Sequence, residues 1–94
     1  MNFQSKIKSK FEKNGWLMLK LAKTNINGIA DFIAFKKNEI PILIECKEKN
    51  DTIKPLQIFQ NNRLAKKYGF KFQIHQDGKD VISNINQPNN TDLF

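Results

Sequence analysis

Glu45-Cys46-Lys47 places two opposite charges two residues apart, at the end of the apolar run Ile42-Leu43-Ile44. In an extended strand alternate side chains share a face, so Glu45 and Lys47 point one way and Cys46 the other. Asp31 lies seven residues before Asn38, and Glu45 seven residues after it. A hairpin closed through Lys37–Glu39 therefore brings Asp31 opposite Glu45, so that two carboxylates and an ammonium meet at one point. Like charges held that close repel unless a cation joins them. Carboxylate oxygens are the hard donors that a divalent cation takes. A lone Glu-x-Lys has a plainer explanation, an exposed salt bridge worth at most about 1 kcal/mol. The convergence of Asp31 is what favours an ion site.

These residues need strands and a helix to hold them. Residues 2–14 read as a helix, with Phe3, Ile7 and Phe11 forming one apolar stripe and Asn14-Gly15 a stop. Residues 16–21 alternate as a strand, with Leu17, Leu19 and Leu21 on one side and Trp16, Met18 and Lys20 on the other. Residues 25–28 form a loop ending in an Asn-Gly turn. Residues 29–35 and 41–47 are the next strands, the latter apolar enough to be buried on both faces. Pro55 suits the first turn of a helix, with Thr52 or Lys54 near its cap, and Gly69 ends that helix after Tyr68. Phe70, Phe72 and Ile74 alternate in a fourth strand. Asp77-Gly78 then turns the chain into a short edge strand over 81–85. The long second helix is a crossover, so the fourth strand should run parallel to the third.

At 100° per residue, Ile58, Leu64, Ala65 and Tyr68 mark the inward face of the second helix, and Gln57 and Asn61 fall within it. Buried polar side chains need partners. Gln57, one turn into the helix, is placed to reach Glu45 and Lys47, while Gln60 points outward. Phe59 also points outward, near Arg63 and Lys66, as a candidate dimer surface. His75 shares a strand face with Lys71 and Gln73 and reads as a surface residue.

The chain has 94 residues and a net charge of +7, from 16 basic and 9 acidic side chains. That length gives one domain, over 1–85, with a polar tail over 86–94. Excess positive charge attracts polyanions, nucleic acid first among them in cytosol. Fifteen of the basic residues are Lys, so A/T-rich coding accounts for part of the excess. No apolar run reaches the roughly 20 residues needed to span a bilayer. The single Cys46 forms no internal disulfide, which fits a reducing cytoplasm.

Gly28-Ile29-Ala30-Asp31, Glu45-Cys46-Lys47 and Pro55-Leu56-Gln57, in this order and spacing, resemble the PD-(D/E)xK nuclease superfamily. Within it the chain is similar to VRR-NUC domains and to the Holliday-junction resolvases of archaea and phages. The helix end at residues 11–16 is also similar to theirs, and the resemblance covers about residues 3–76. It implies a restriction-endonuclease-like αβββαβ core, with a mixed sheet flanked by two helices. It implies Mg²⁺ as cofactor, with Mn²⁺ as a substitute, held by Asp31, Glu45 and the Cys46 carbonyl. Lys47 would orient or activate the attacking water, and Gln57 would support the metal's water shell or the scissile phosphate. Two positions depart from the family pattern. Ala30 stands where the family has Pro. Gln4 stands where the family often has an acid in the first helix, which weakens a second metal site and leaves one metal favoured.

The resemblance implies a DNA partner, branched DNA first, a homodimer, and work in DNA recombination or repair. Lys20, Lys23 and Thr24 are candidate DNA contacts, although a solvated loop explains them equally well; Gln4 and Asn61 join them. Asp92-Leu93-Phe94 resembles the tail peptides that bind sliding clamps. Two other readings stay open, a restriction or repair nuclease acting on linear duplex and a catalytically silent basic DNA-binding module.

Overall fold

A computed structural model describes residues 1–83. The elements run α1 (Phe3–Lys13), β1 (Leu17–Lys20), β2 (Phe32–Phe35), β3 (Ile42–Lys47), α2 (Pro55–Tyr68), β4 (Lys71–Gln76) and β5 (Ile82–Ser83). This is the expected αβββαβ order with an added edge strand. The tail candidates Asp92, Leu93 and Phe94 lie outside the described residues.

The strands form one mixed sheet in the order β1-β2-β3-β4-β5. β1, β2 and β3 make an antiparallel meander. β4 runs parallel to β3, because a whole helix carries the chain between them, and β5 returns antiparallel. Each face of the sheet is covered by one helix. On one face Ile7, with Phe3 and Phe11 beside it, packs on Met18, Phe32, Ala34, Ile42 and Ile44. On the other, Leu64, Ile58 and Ala65 of α2 pack with Ala30, Leu43, Phe72 and Ile74. β3 is buried from both sides, as its apolar run requires. β1 is an edge strand, where Leu17 and Leu19 stay exposed and Met18 is the buried residue.

Local chemistry sets the element ends. The Asn2 side chain caps α1 by accepting from the Ser5 N–H at 2.8 Å. Pro55 opens α2, and Gly69 closes it in the left-handed region at φ 76°. Lys54 holds the cap position without a side-chain bond.

Two expectations need correction. The second strand begins at Phe32 and not at Ile29, because residues 28–31 leave the ladder to pack against α2. His75 is not a surface residue. It is 7% exposed, its ring centroid 5.5 Å from that of Phe11 in an edge-to-face arrangement, because α1 lies over that face. Burial, and then the Lys10 charge, lower its pKa to about 4.

The β2–β3 connection fixes the register that matters most. The Glu39 N–H bonds the Lys36 carbonyl at 3.0 Å, and Asn38 takes φ 66°. Asparagine is among the few side chains that tolerate this region. The resulting ladder pairs Ala34 with Ile42, Ile33 with Leu43 and Phe32 with Ile44. Asn38→Val should cost about 1–2 kcal/mol, since a branched side chain is strained there. Thermal denaturation checks this, and an unchanged midpoint would show that the turn does not depend on the left-handed residue.

Candidate functional site

Continuing the β2–β3 register one step past Phe32↔Ile44 sets Asp31 opposite Glu45. Directly opposed residues on antiparallel strands share a face. Asp31 and Glu45 therefore share the α2 side of the sheet with Lys47, while Cys46 packs toward α1.

The ladder itself stops at Phe32, and side chains take over. The Cys46 N–H, which the register would give to Ala30, donates to Asp31 Oδ2 at 2.8 Å. The Asp31 carbonyl accepts from the Leu21 N–H at 2.8 Å, which prolongs the β1–β2 pairing. A strand residue's N–H and C=O point to the same edge. The Cys46 carbonyl therefore faces the Asp31 side too.

Glu45 is 3% exposed and Lys47 8% exposed. Glu45 Oε2 takes the Lys47 ammonium at 3.3 Å and the Gln57 amide N–H at 3.1 Å. Glu45 Oε1 and Gln57 Oε1 are buried acceptors that no donor reaches among the described residues. Burial, and then the Asp31 charge, push the Glu45 pKa up to about 7, against the opposing pull of Lys47 and Gln57. A buried carboxylate with an unmatched oxygen and a second carboxylate beside it is costly alone. A cation removes both penalties.

The donor set fits a hard divalent ion. Asp31, Glu45 and the Cys46 carbonyl offer oxygen only. The Cys46 side chain packs on the α1 face, opposite to Glu45 and Lys47, so its sulfur is not part of the set; burial, and then Asp31, Glu45 and Glu48, push the thiol up to about 12. Among the described residues no three His, Cys, Asp or Glu side chains gather into a cluster. Two carboxylates and a backbone carbonyl are the kind of oxygen donors that hard divalent cations take.

The other candidates divide. Gln57 reaches the site, as its place on α2 required. Asn61 is 0% exposed and cannot touch DNA. Its Oδ1 accepts from the Ala30 N–H at 2.8 Å, and its Nδ2 donates to the carbonyls of Gly28 at 3.0 Å and Gln57 at 2.6 Å. Lys20, Lys23 and Thr24 are exposed, the Thr24 hydroxyl closing a local turn with Ile26. Gln4 is half-buried on the first turn of α1 and makes no hydrogen bond to Asp31 or Glu45. Glu12 pairs outward with Lys8 at 3.0 Å. Phe59 is half-buried, not fully turned out.

One supporting residue escaped the sequence reading. Gln76, 6% exposed, donates to the carbonyls of Glu48 at 3.1 Å and Asp51 at 2.8 Å, pinning the loop that follows Lys47. Its place at the end of β4, parallel to β3, was the available signal.

No family model matches the sequence, and no curated protein matches it. The backbone does have solved counterparts. A VRR_NUC domain superposes with a TM-score of 0.62 at 24% identity, over 78% of this chain and 80% of that one. Hjc, a Holliday junction resolvase of Archaeoglobus fulgidus, superposes with a TM-score of 0.64 at 14% identity, over 88% of this chain and 72% of its own. The chain thus has the restriction-endonuclease-like fold that these two share.

The Glu45 environment yields a pH prediction for the protein in chelator. The folded carboxyl holds its proton up to about 7, against an ordinary 4.5. Its contribution to stability is complete below about 4.5 and is lost as pH rises through about 7. The buried neutral His75, lowered from 6.5 to about 4, has the opposite effect over about pH 4 to 6.5, so the carboxyl is read from a difference: wild type should lose melting temperature relative to Glu45→Gln between about pH 4.5 and 7. Glu45→Gln should melt higher than wild type at pH 8. A difference that stays constant from pH 4.5 to 8 would show that the folded carboxyl is ionised throughout that range.

Proposed function

We propose that this domain, built on the fold of the VRR_NUC domain and Hjc, is a metal-dependent DNA endonuclease that acts on branched DNA. The observation that carries the reading is the pair Asp31 and Glu45, opposed on adjacent strands, with Lys47 at 3.3 Å from Glu45 and a buried Glu45 oxygen left without a donor. A protein that only binds DNA gains nothing from carboxylates set toward phosphate.

Asp31, Glu45 and the Cys46 carbonyl would hold Mg²⁺, with Mn²⁺ as a substitute. The bound ion would supply charge neutralisation at the phosphate and a more acidic water. Lys47 donates hydrogen bonds from its ammonium and, beside the carboxylates, is placed to orient the attacking water and carry a proton. Gln57 fixes the Glu45 carboxylate and presents Oε1 as a further acceptor for a water. Lys20, Lys23 and Thr24, exposed around the connection that leads to Asp31, are placed to meet the phosphate backbone. Contacts of that kind are blind to base sequence. A domain this small has little surface left for base-edge contacts, which favours recognition of DNA shape over sequence. Cutting a four-way junction takes two incisions, and one domain carries one site, so two copies act on each junction. Among the described residues no helix is long and apolar enough to cross a membrane.

Cleavage of a four-way junction, a flap and a linear duplex, each with Mg²⁺ and with chelator, is the direct test. Wild type should cut the branched substrates in Mg²⁺ only. Glu45→Ala should lose at least about a hundredfold in rate, the scale of removing a main electrostatic stabiliser, while DNA binding persists. Full cleavage by Glu45→Ala would remove the catalytic assignment. Equal cutting of linear duplex would shift the reading to a restriction or repair nuclease.

A further inference from the structure

Residues 28–31 carry Asp31 to its place without ladder pairing to β3. Gly28 takes φ 78°, a region where most side chains are strained. A Cβ there would stand 3.5 Å from Leu56 Cγ and 3.7 Å from Gln57 Cα, so the backbone runs close against the first turn of α2. Ala30 is 0% exposed. The segment is fastened by one side chain, Asn61, which takes the Ala30 N–H and gives its amide protons to the Gly28 and Gln57 carbonyls at 2.8, 3.0 and 2.6 Å.

Gln57 and Asn61 are four residues apart, about one helical turn, and so share a face of α2. Gln57 holds the Glu45 carboxylate. Asn61 holds the backbone that delivers Asp31. One turn of a single helix thus spans both carboxylate-bearing segments, the end of β3 and the stretch that leads into β2.

We infer that Asn61 is a positioning residue, which through the backbone of Gly28 and Ala30 sets where the Asp31 carboxylate stands relative to Glu45. The inference rests on the reading of Asp31 and Glu45 as the metal-holding pair. A leucine of similar size would fill the same space and lose all three bonds, so packing and positioning can be separated.

The Cys46 amide reports on Asp31 without any metal, because its acceptor is Asp31 Oδ2. The Ile44 amide, on the same strand and in the core, reports on global opening. Hydrogen exchange of both is measured in chelator for wild type, Asn61→Leu and Gly28→Ala, and Mn²⁺ binding is measured by calorimetry on the same proteins. In Asn61→Leu the Cys46 amide should exchange at least tenfold faster relative to Ile44, and Mn²⁺ affinity should fall at least tenfold. Gly28→Ala disturbs the same segment from the loop side and should give the same selective loss. It decides the matter if Asn61→Leu does not fold. A Cys46-to-Ile44 ratio unchanged in the folded variants, with Mn²⁺ affinity kept within twofold, would leave Asn61 as mere packing and overturn the inference. Wild type that binds no Mn²⁺ would overturn the nuclease reading instead, and the exchange ratio would still judge Asn61.

Discussion

Two carboxylates held side by side on the inner face of a small sheet are an electrostatic debt that the rest of the structure must manage. Glu45 is nearly inaccessible, and Asp31 adds a like charge from the facing strand. Lys47 neutralises one of the two charges. The Cys46 N–H and the Gln57 amide each satisfy one oxygen. None of these reaches Glu45 Oε1. A sheet made only to be stable would place a leucine at position 45, continuing the run from Ile42.

The fold separates its two jobs by face. The α1 side is a conventional apolar layer, closed by Ile7, Phe11 and Phe32. The α2 side is apolar only at its centre and turns polar where β3 ends. There α2 offers amides where an ordinary core helix offers aliphatic residues. Amides accept and donate at fixed geometry, so they can hold backbone and carboxylate in one arrangement where Leu or Ile could only fill space. Gln57, Asn61 and, from β4, Gln76 each bond groups on other elements. These long-range bonds take over where the β2–β3 ladder ends.

Much of this was legible in the sequence, for identifiable reasons. Period-two alternation and an apolar run located β3. The seven-residue count on either side of Asn38 gave the register, because the connection is short and its turn residue tolerates a positive φ. Pro55 and Gly69 bracketed α2. What periodicity could not show is where a chain leaves its ladder: Ile29 and Ala30 look like strand residues and instead pack against a helix. Asn61 illustrates the same gap. Its place on the inward face was clear, yet two of its three partners are backbone atoms of a loop more than thirty residues earlier, which no local pattern encodes. His75 alternates with Lys71 and Gln73 like a surface residue, and only the placement of α1 buries it.

The cost of the site explains why it sits at the end of β3. In mid-strand a buried, partly unsatisfied carboxylate would interrupt pairing on both sides and weaken the whole sheet. At the strand end, β2 has already departed, so the Cys46 N–H is free to take a side-chain acceptor and its carbonyl faces the same opening. The neighbouring loops also supply the missing constraints from outside the sheet, with Gly28 pressed to α2 on one side and Gln76 gripping residues 48–51 on the other. Natural sequences break local rules of stability mainly where function requires it. Here the broken rule is confined to the strand end, where the chain has left the β2–β3 ladder, while β3, β4 and the two helices keep their apolar core intact.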